Sequence, residues 1–124
     1  MATRSLIAVV DDDESMRQAL SALLSSFGYP VADFEGAEAF LRSDQRRSTA
    51  CLIADVQMPV MTGLDLQARL LAAGDPIPVI FITAHPDPII ENRAIRNGAK
   101  GFLIKPFSQD DLIASVTTAL MPAP

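Results

Sequence analysis

Short apolar runs and amphipathic stretches alternate five times along this chain. That rhythm constrains the fold more than any single residue does, because it calls for a parallel sheet with helices on both faces. The apolar runs are residues 5–10, 30–34, 50–54, 78–82 and 101–104, each short and bounded by turn signals. After the first, Met16, Leu20, Leu23, Leu24 and Phe27 share one helical face, and Gly28 ends it. Residues 36–46 read as a weaker helix carrying Ala39 and Phe40. Thr62 with Asp65 forms a capping-box pattern, and the helix it opens runs through Leu64, Leu66, Leu70 and Leu71 to Gly74. Asp87 and Pro88 read as an N-cap followed by proline in the first turn, with the helix closing at Asn97-Gly98. Ser108 and Asp111 repeat the capping box ahead of Leu112, Ile113, Val116, Ala119 and Leu120. The tail Met121-Pro122-Ala123-Pro124 does not continue that helix. The expected fold is a doubly wound (βα)5 α/β domain with sheet order 2-1-3-4-5. It forms a single domain over residues 1–124, with its structured core at about 5–120.

Composition removes several alternatives. A hydrophobic fraction of 49% supplies a core and argues against disorder. The net charge of −5 disfavours a sequence-independent nucleic-acid surface, which needs a basic stripe. Of ten Lys and Arg residues only Lys100 and Lys105 are lysines, so a lysine at a strand end carries weight. The lone Cys51 sits within an apolar run and reads as a small buried hydrophobe. Neither a signal peptide nor an apolar stretch of membrane-spanning length is visible, which makes the cytoplasm the expected compartment.

Chemistry gathers at the ends of the strands. Asp11-Asp12-Asp13 follows the first, Asp55 the third, Thr83 the fourth and Lys105 the fifth. A parallel sheet brings its strand ends to one edge, where ligands of such folds bind. Carboxylates packed together repel, and a hard divalent cation with oxygen ligands relieves them. A carboxylate can also act as a nucleophile and form an acyl phosphate. Phosphoryl transfer then needs charge neutralisation, for which the lysine ammonium, the threonine hydroxyl and the cation are suited. Taken singly, the acidic pair would read as a solvated turn, Thr83 as a cap and Lys105 as a surface charge. Their common register carries the argument. Asp13 fits the start of the first helix better than a metal site.

The chain resembles the receiver domain of two-component response regulators. The resemblance rests on Val9-Val10-Asp11-Asp12, on the segment from Asp55 to Gly63, on Ile82-Thr83-Ala84 and on the stretch from Gly98 to Phe107. Four such segments in order extend it from Ser5 to Leu120. The Asp-Asp-Asp-Glu and Lys-Pro-Phe pieces are similar to the FixJ-like branch. The resemblance implies that Asp55 accepts a phosphoryl group from a sensor histidine kinase or a phosphotransfer protein. It implies Mg²⁺ bound directly by Asp12, Asp55 and the Gln57 backbone carbonyl, with Asp11 acting through water. Lys105 would hold the phosphoryl group, Thr83 would move toward it, and Phe102 would turn inward as the coupled aromatic. The bond before Pro106 would be cis. Gln57 and His85 would flank the phosphate and tune its lifetime. The face formed by the fourth helix, fifth strand and fifth helix would carry readout, by a partner or a homodimer. These 124 residues include no DNA-binding region, so direct nucleic-acid binding and membrane association are not expected. The competing readings are a Mg²⁺-dependent phosphatase with an aspartyl nucleophile, and a flavodoxin-like nucleotide binder. The first would need room for a substrate pocket, and the second a phosphate loop after the first strand.

Overall fold

The structure is a computed structural model and describes residues 5–121. The expectations for residues 1–4 and 122–124 lie outside that range. The strands are β1 (Leu6–Val10), β2 (Val31–Phe34), β3 (Thr49–Asp55), β4 (Val79–Thr83) and β5 (Gly101–Ile104). The helices are α1 (Glu14–Ser26), α2 (Ala37–Arg42), α3 (Gly63–Ala72), α4 (Pro88–Arg96) and α5 (Gln109–Leu120). All pairings are parallel, in the order β2-β1-β3-β4-β5. The reversal of strand order falls between β1 and β3, so the site forms beside those two strand ends.

Alternation along the buried strands divides the core in two. Ile7, Val9, Cys51, Ile53, Ile80 and Ile82 pack with Leu20 and Leu24 of α1 and with Leu112 and Val116 of α5. Ala8, Val10, Leu52, Ala54 and Phe81 pack on the other face with Phe40 of α2, Leu66 and Leu70 of α3 and Ala94 of α4. A strand covered on both sides must be apolar at every position, which is why these runs lack a polar phase. Fully burying one such side chain contributes about 1.5–3 kcal/mol. Cys51 is buried within this core, and burial pushes its thiol up to about 12.

The caps follow local hydrogen-bond chemistry. Asp13 caps α1 by accepting from the Ser15 and Met16 amides. Thr62 and Asp65 close a reciprocal capping box on α3. Asp87 caps α4, with Pro88 in the first turn. At α5, Ser108 accepts from the Asp111 amide.

Several expectations change. The helix expected over residues 36–46 stops at Arg42, and a 3-10 helix follows at Asp44–Ser48. Ser43 is extended and its hydroxyl accepts from the Gln45 amide, so a side chain has replaced the helical bond there. Phe27 leaves the apolar face of α1 and sits at its C-cap, 48% exposed, while Leu71 is half-exposed at the end of α3. Asp55 and Thr83 are the last residues of β3 and β4 rather than the first ones beyond them.

Candidate functional site

Four strand ends build the site. Val10 is in register with Ala54, and Asp55 with Ile82, so the β1, β3 and β4 ends lie side by side. Asp11 follows β1 directly, and Lys105 follows β5. The Lys105 amide donates to the Thr83 carbonyl at 2.8 Å, which extends the β4–β5 ladder by one step. The Lys105–Pro106 peptide bond is cis.

Asp11, Asp12 and Asp55 each offer a carboxylate oxygen, and these lie within 4.8 Å of one another. Lys105 Nζ donates to Asp55 Oδ2 at 3.1 Å and lies 3.6 Å from Asp11 Oδ2. The other Asp55 oxygen, Oδ1, accepts from the Gln57 amide at 2.9 Å. Asp11 Oδ1 accepts from the Asp13 amide at 2.9 Å, which turns the chain toward α1. Asp11 is fully buried, and its Oδ2 has no hydrogen-bond partner among the described residues. Burial raises the Asp11 carboxyl above its usual range, with the Asp55 and Asp12 charges acting in the same direction. The Asp13 amide and Lys105 oppose them. For Lys105, burial disfavours the ammonium, but the Asp55 hydrogen bond and the Asp11 and Asp55 charges outweigh it and raise the pKa.

This donor set fits a hard divalent cation. It consists of carboxylate oxygens only, includes one buried oxygen that is ion-paired with Lys105 but has no hydrogen-bond partner among the described residues, and would be relieved of self-repulsion by added positive charge. Asp12 is exposed and Asp55 only 8% exposed, so a cation would be reached from solvent past Asp12.

The remaining residues lie around this centre in different states. Thr83 is buried, and its hydroxyl accepts from the His85 amide at 3.1 Å and donates to the His85 carbonyl at 3.3 Å, a local turn. His85 and Gln57 are exposed. Phe102 is half-buried on β5, its ring tilted against Phe81 at 6.2 Å.

Two contributors were not singled out by sequence reading. Arg17 donates through Nη1 to the Asp11 carbonyl at 2.9 Å and through Nε to Asp33 at 3.1 Å, tying α1 to the β1 end. Gly63, the first residue of α3, packs against the β3 end, where an added Cβ would stand 2.5 Å from the Asp55 carbonyl oxygen. A glycine directly after the Thr62 cap is the only sequence signal for that approach, and arginine on a helix carries none.

The chain is similar to known proteins over nearly its whole length. The family described as response regulator receiver domain matches residues 7–117. The response regulator protein TmoT of Ectopseudomonas mendocina is 45% identical over 120 residues, which is 97% of this chain and 54% of that protein. The transcriptional regulatory protein FixJ of Bradyrhizobium diazoefficiens is 39% identical over 123 residues, 99% of this chain and 60% of its own length. The chain thus spans little more than half of these relatives. Among solved structures, response regulator StyR superposes with a TM-score of 0.88 at 41% identity, covering 95% of this chain and 60% of that one. FixJ-N superposes at 0.85 with 31% identity, covering 98% and 99%.

Proposed function

The chain belongs to the response regulator receiver domain family, and from that premise we propose that it is a phosphorylation-driven switch with Asp55 as phosphoacceptor. The observation that carries the proposal is the pairing of Asp55 Oδ2 with Lys105 Nζ at 3.1 Å beside the three-carboxylate cluster. A partly buried ammonium bonded to a carboxylate at a strand tip can pass to a phosphoryl oxygen once the carboxylate is phosphorylated.

In the transfer, an Asp55 oxygen attacks phosphorus on a phosphohistidine of a sensor kinase or phosphotransfer protein. The phosphorus–nitrogen bond breaks, the nitrogen keeps the electron pair, the proton already carried by the other ring nitrogen makes the departing group a neutral imidazole, and an aspartyl phosphate remains. Asp11, Asp12, Asp55 and the Gln57 backbone carbonyl would hold Mg²⁺, which supplies charge neutralisation to the transferring group when bound. Lys105 orients one phosphoryl oxygen. The Asp55 oxygen bonded to the Gln57 amide stays anchored, so the oxygen bonded to Lys105 is the one freed for attack.

Readout follows from the added charge. Thr83 gives up its turn bond to His85 for the phosphoryl oxygen, and Phe102 moves inward toward Phe81. Gln57 and His85, both exposed beside the site, set the rate at which water removes the phosphoryl group. Exposed Ile89 and Ile95 of α4 and Ile104 of β5 support the α4-β5-α5 face as the surface for a partner or a second copy. No helix among the described residues is long and apolar enough to cross a membrane. We take residues 1–124 as one receiver domain acting in the cytoplasm, with signalling rather than substrate turnover as its role.

The test is incubation with Mg²⁺ and acetyl phosphate, followed by intact-mass measurement of wild type and Asp55→Asn. One phosphoryl adduct is expected in the wild type and none in the variant. Equal labelling of both would overturn the Asp55 assignment.

A further inference from the structure

Arg17 is bonded to the acidic strand end but has no part in the transfer itself. It lies one turn past the Asp13 cap of α1, with its side chain 15% exposed. Its guanidinium makes two directed bonds: Nη1 donates to the Asp11 carbonyl at 2.9 Å, and Nε donates to Asp33 Oδ2 at 3.1 Å. Asp33 belongs to β2, in register with Val9 of β1. One side chain thus joins α1, the end of β1 and β2.

The Asp11 carbonyl shares a rigid peptide plane with the Asp12 amide. Holding that oxygen therefore fixes the plane from which Asp12 continues. The rest of Asp11 is held as well, since its amide donates to the Phe34 carbonyl at 3.2 Å and its Oδ1 accepts from the Asp13 amide at 2.9 Å. On the far side, Asp13 caps α1. Asp12 is the exposed member of the three-carboxylate set, so its placement depends on these neighbours more than on packing. Charge does not explain Arg17. Its own charge is paired with Asp33, and besides burial the groups that act on the Asp11 carboxyl are the Asp13 amide, Lys105, Asp55 and Asp12.

We propose that Arg17 is a positioning residue for divalent-cation binding, its guanidinium clamping the Asp11–Asp12 peptide so that both carboxylates are in place before the ion arrives. The inference rests on the reading of this cluster as a Mg²⁺ site. Mg²⁺ demands near-ideal octahedral geometry, so a displaced ligand weakens it strongly. Loss of a group that orients a metal ligand lowers affinity by about 10–100-fold. Lysine cannot replace this arginine, because a point charge does not hold a carbonyl and a carboxylate at fixed angles as a planar fork does.

The test is an amide NMR titration of the 124-residue chain with MgCl₂, without phosphodonor, after removal of metal with EDTA. Wild type should show saturable shifts centred on residues 11–13 and 55–57. Arg17→Met should weaken binding by about tenfold or more. Arg17→Lys, which keeps the charge, should be weakened to a similar degree. Arg46→Met is the control: it also removes one arginine from an ion pair, with Asp75 at 3.2 Å, but Arg46 precedes the opposite end of β3, and Mg²⁺ affinity should not change. The same spectra show that each variant is folded. Urea midpoints are measured alongside, because a merely structural Arg17 would lower the midpoint and leave Mg²⁺ affinity as in wild type. Wild-type affinity in Arg17→Met, or full affinity in Arg17→Lys, would overturn this proposal alone. Absence of saturable binding in wild type would overturn the metal site and this proposal with it.

Discussion

Replacing Gly63 by alanine should damage both stability and the phosphorylation site. The added Cβ would lie 2.5 Å from the Asp55 carbonyl oxygen, 3.2 Å from its carbonyl carbon and 3.0 Å from Phe81 Cε1. None of these can retreat cheaply: Asp55 ends a buried strand, Phe81 is fully buried, and Gly63 itself donates to the Val56 carbonyl at 3.0 Å. Overpacking of this type costs about 1–3 kcal/mol, and a 2.5 Å approach to backbone belongs at the upper end. Alanine in a helix gains up to about 1 kcal/mol over glycine. The net is a loss of about 2 kcal/mol, a fall in Tm of about 6–10 °C for a domain of this size. Urea unfolding followed by circular dichroism measures the first effect, and the rate of labelling by acetyl phosphate in Mg²⁺ measures the second. That rate should fall because relief of the contact displaces the Asp55 backbone. Gly36→Ala is the control, since nothing lies within 4 Å of its added Cβ and its φ of −168° is ordinary extended backbone. A Gly63→Ala protein as stable as wild type and labelled at the same rate would refute the reasoning.

Asp11→Asn should stabilise the metal-free protein by about 1 kcal/mol at neutral pH, because it removes a buried charge whose carboxyl is raised by burial and by its acidic neighbours. The sign for wild type in EDTA follows from linkage: the Asp11 pKa is raised on folding, so its contribution is most favourable below the unfolded value of 3.8 and is lost as pH rises through the folded value. Urea midpoints across that range should show a steeper loss for wild type than for the variant. Val60 is 92% exposed with φ of 70°, a strained position for a β-branched residue, so Val60→Gly should raise stability by about 1 kcal/mol. Thermal unfolding of the two proteins checks this; an unchanged or lower Tm would count against it.

Much of the architecture was legible because strand and helix periodicities are local properties. The continuous apolar runs at 50–54 and 78–82 mark strands covered on both faces, and Thr62 with Asp65 marks the start of α3, as its reciprocal hydrogen bonds bear out. Where periodicity and a competing side-chain bond conflicted, the pattern misled. Ser43 takes the Gln45 amide and ends α2 early. Phe27 and Leu71 continue an apolar stripe past the point where the sheet still covers it.

By itself, the sequence determined the alternation of elements, the parallel sheet they imply, and the kinds of side chain waiting at the strand ends. Those depend on residue spacing and turn chemistry, which each segment carries with it. Only the tertiary structure decided that Asp11 is fully buried, that Lys105 stands 3.1 Å from Asp55, and that Gly63 must lack a side chain to let α3 approach the β3 end. It also decided that the Gln67 amide, four residues along the same helix, is buried and donates to the Ala94 carbonyl of α4. Burial and close approach are set by segments that meet across the sheet from distant parts of the chain, and no local pattern records what a residue will be packed against.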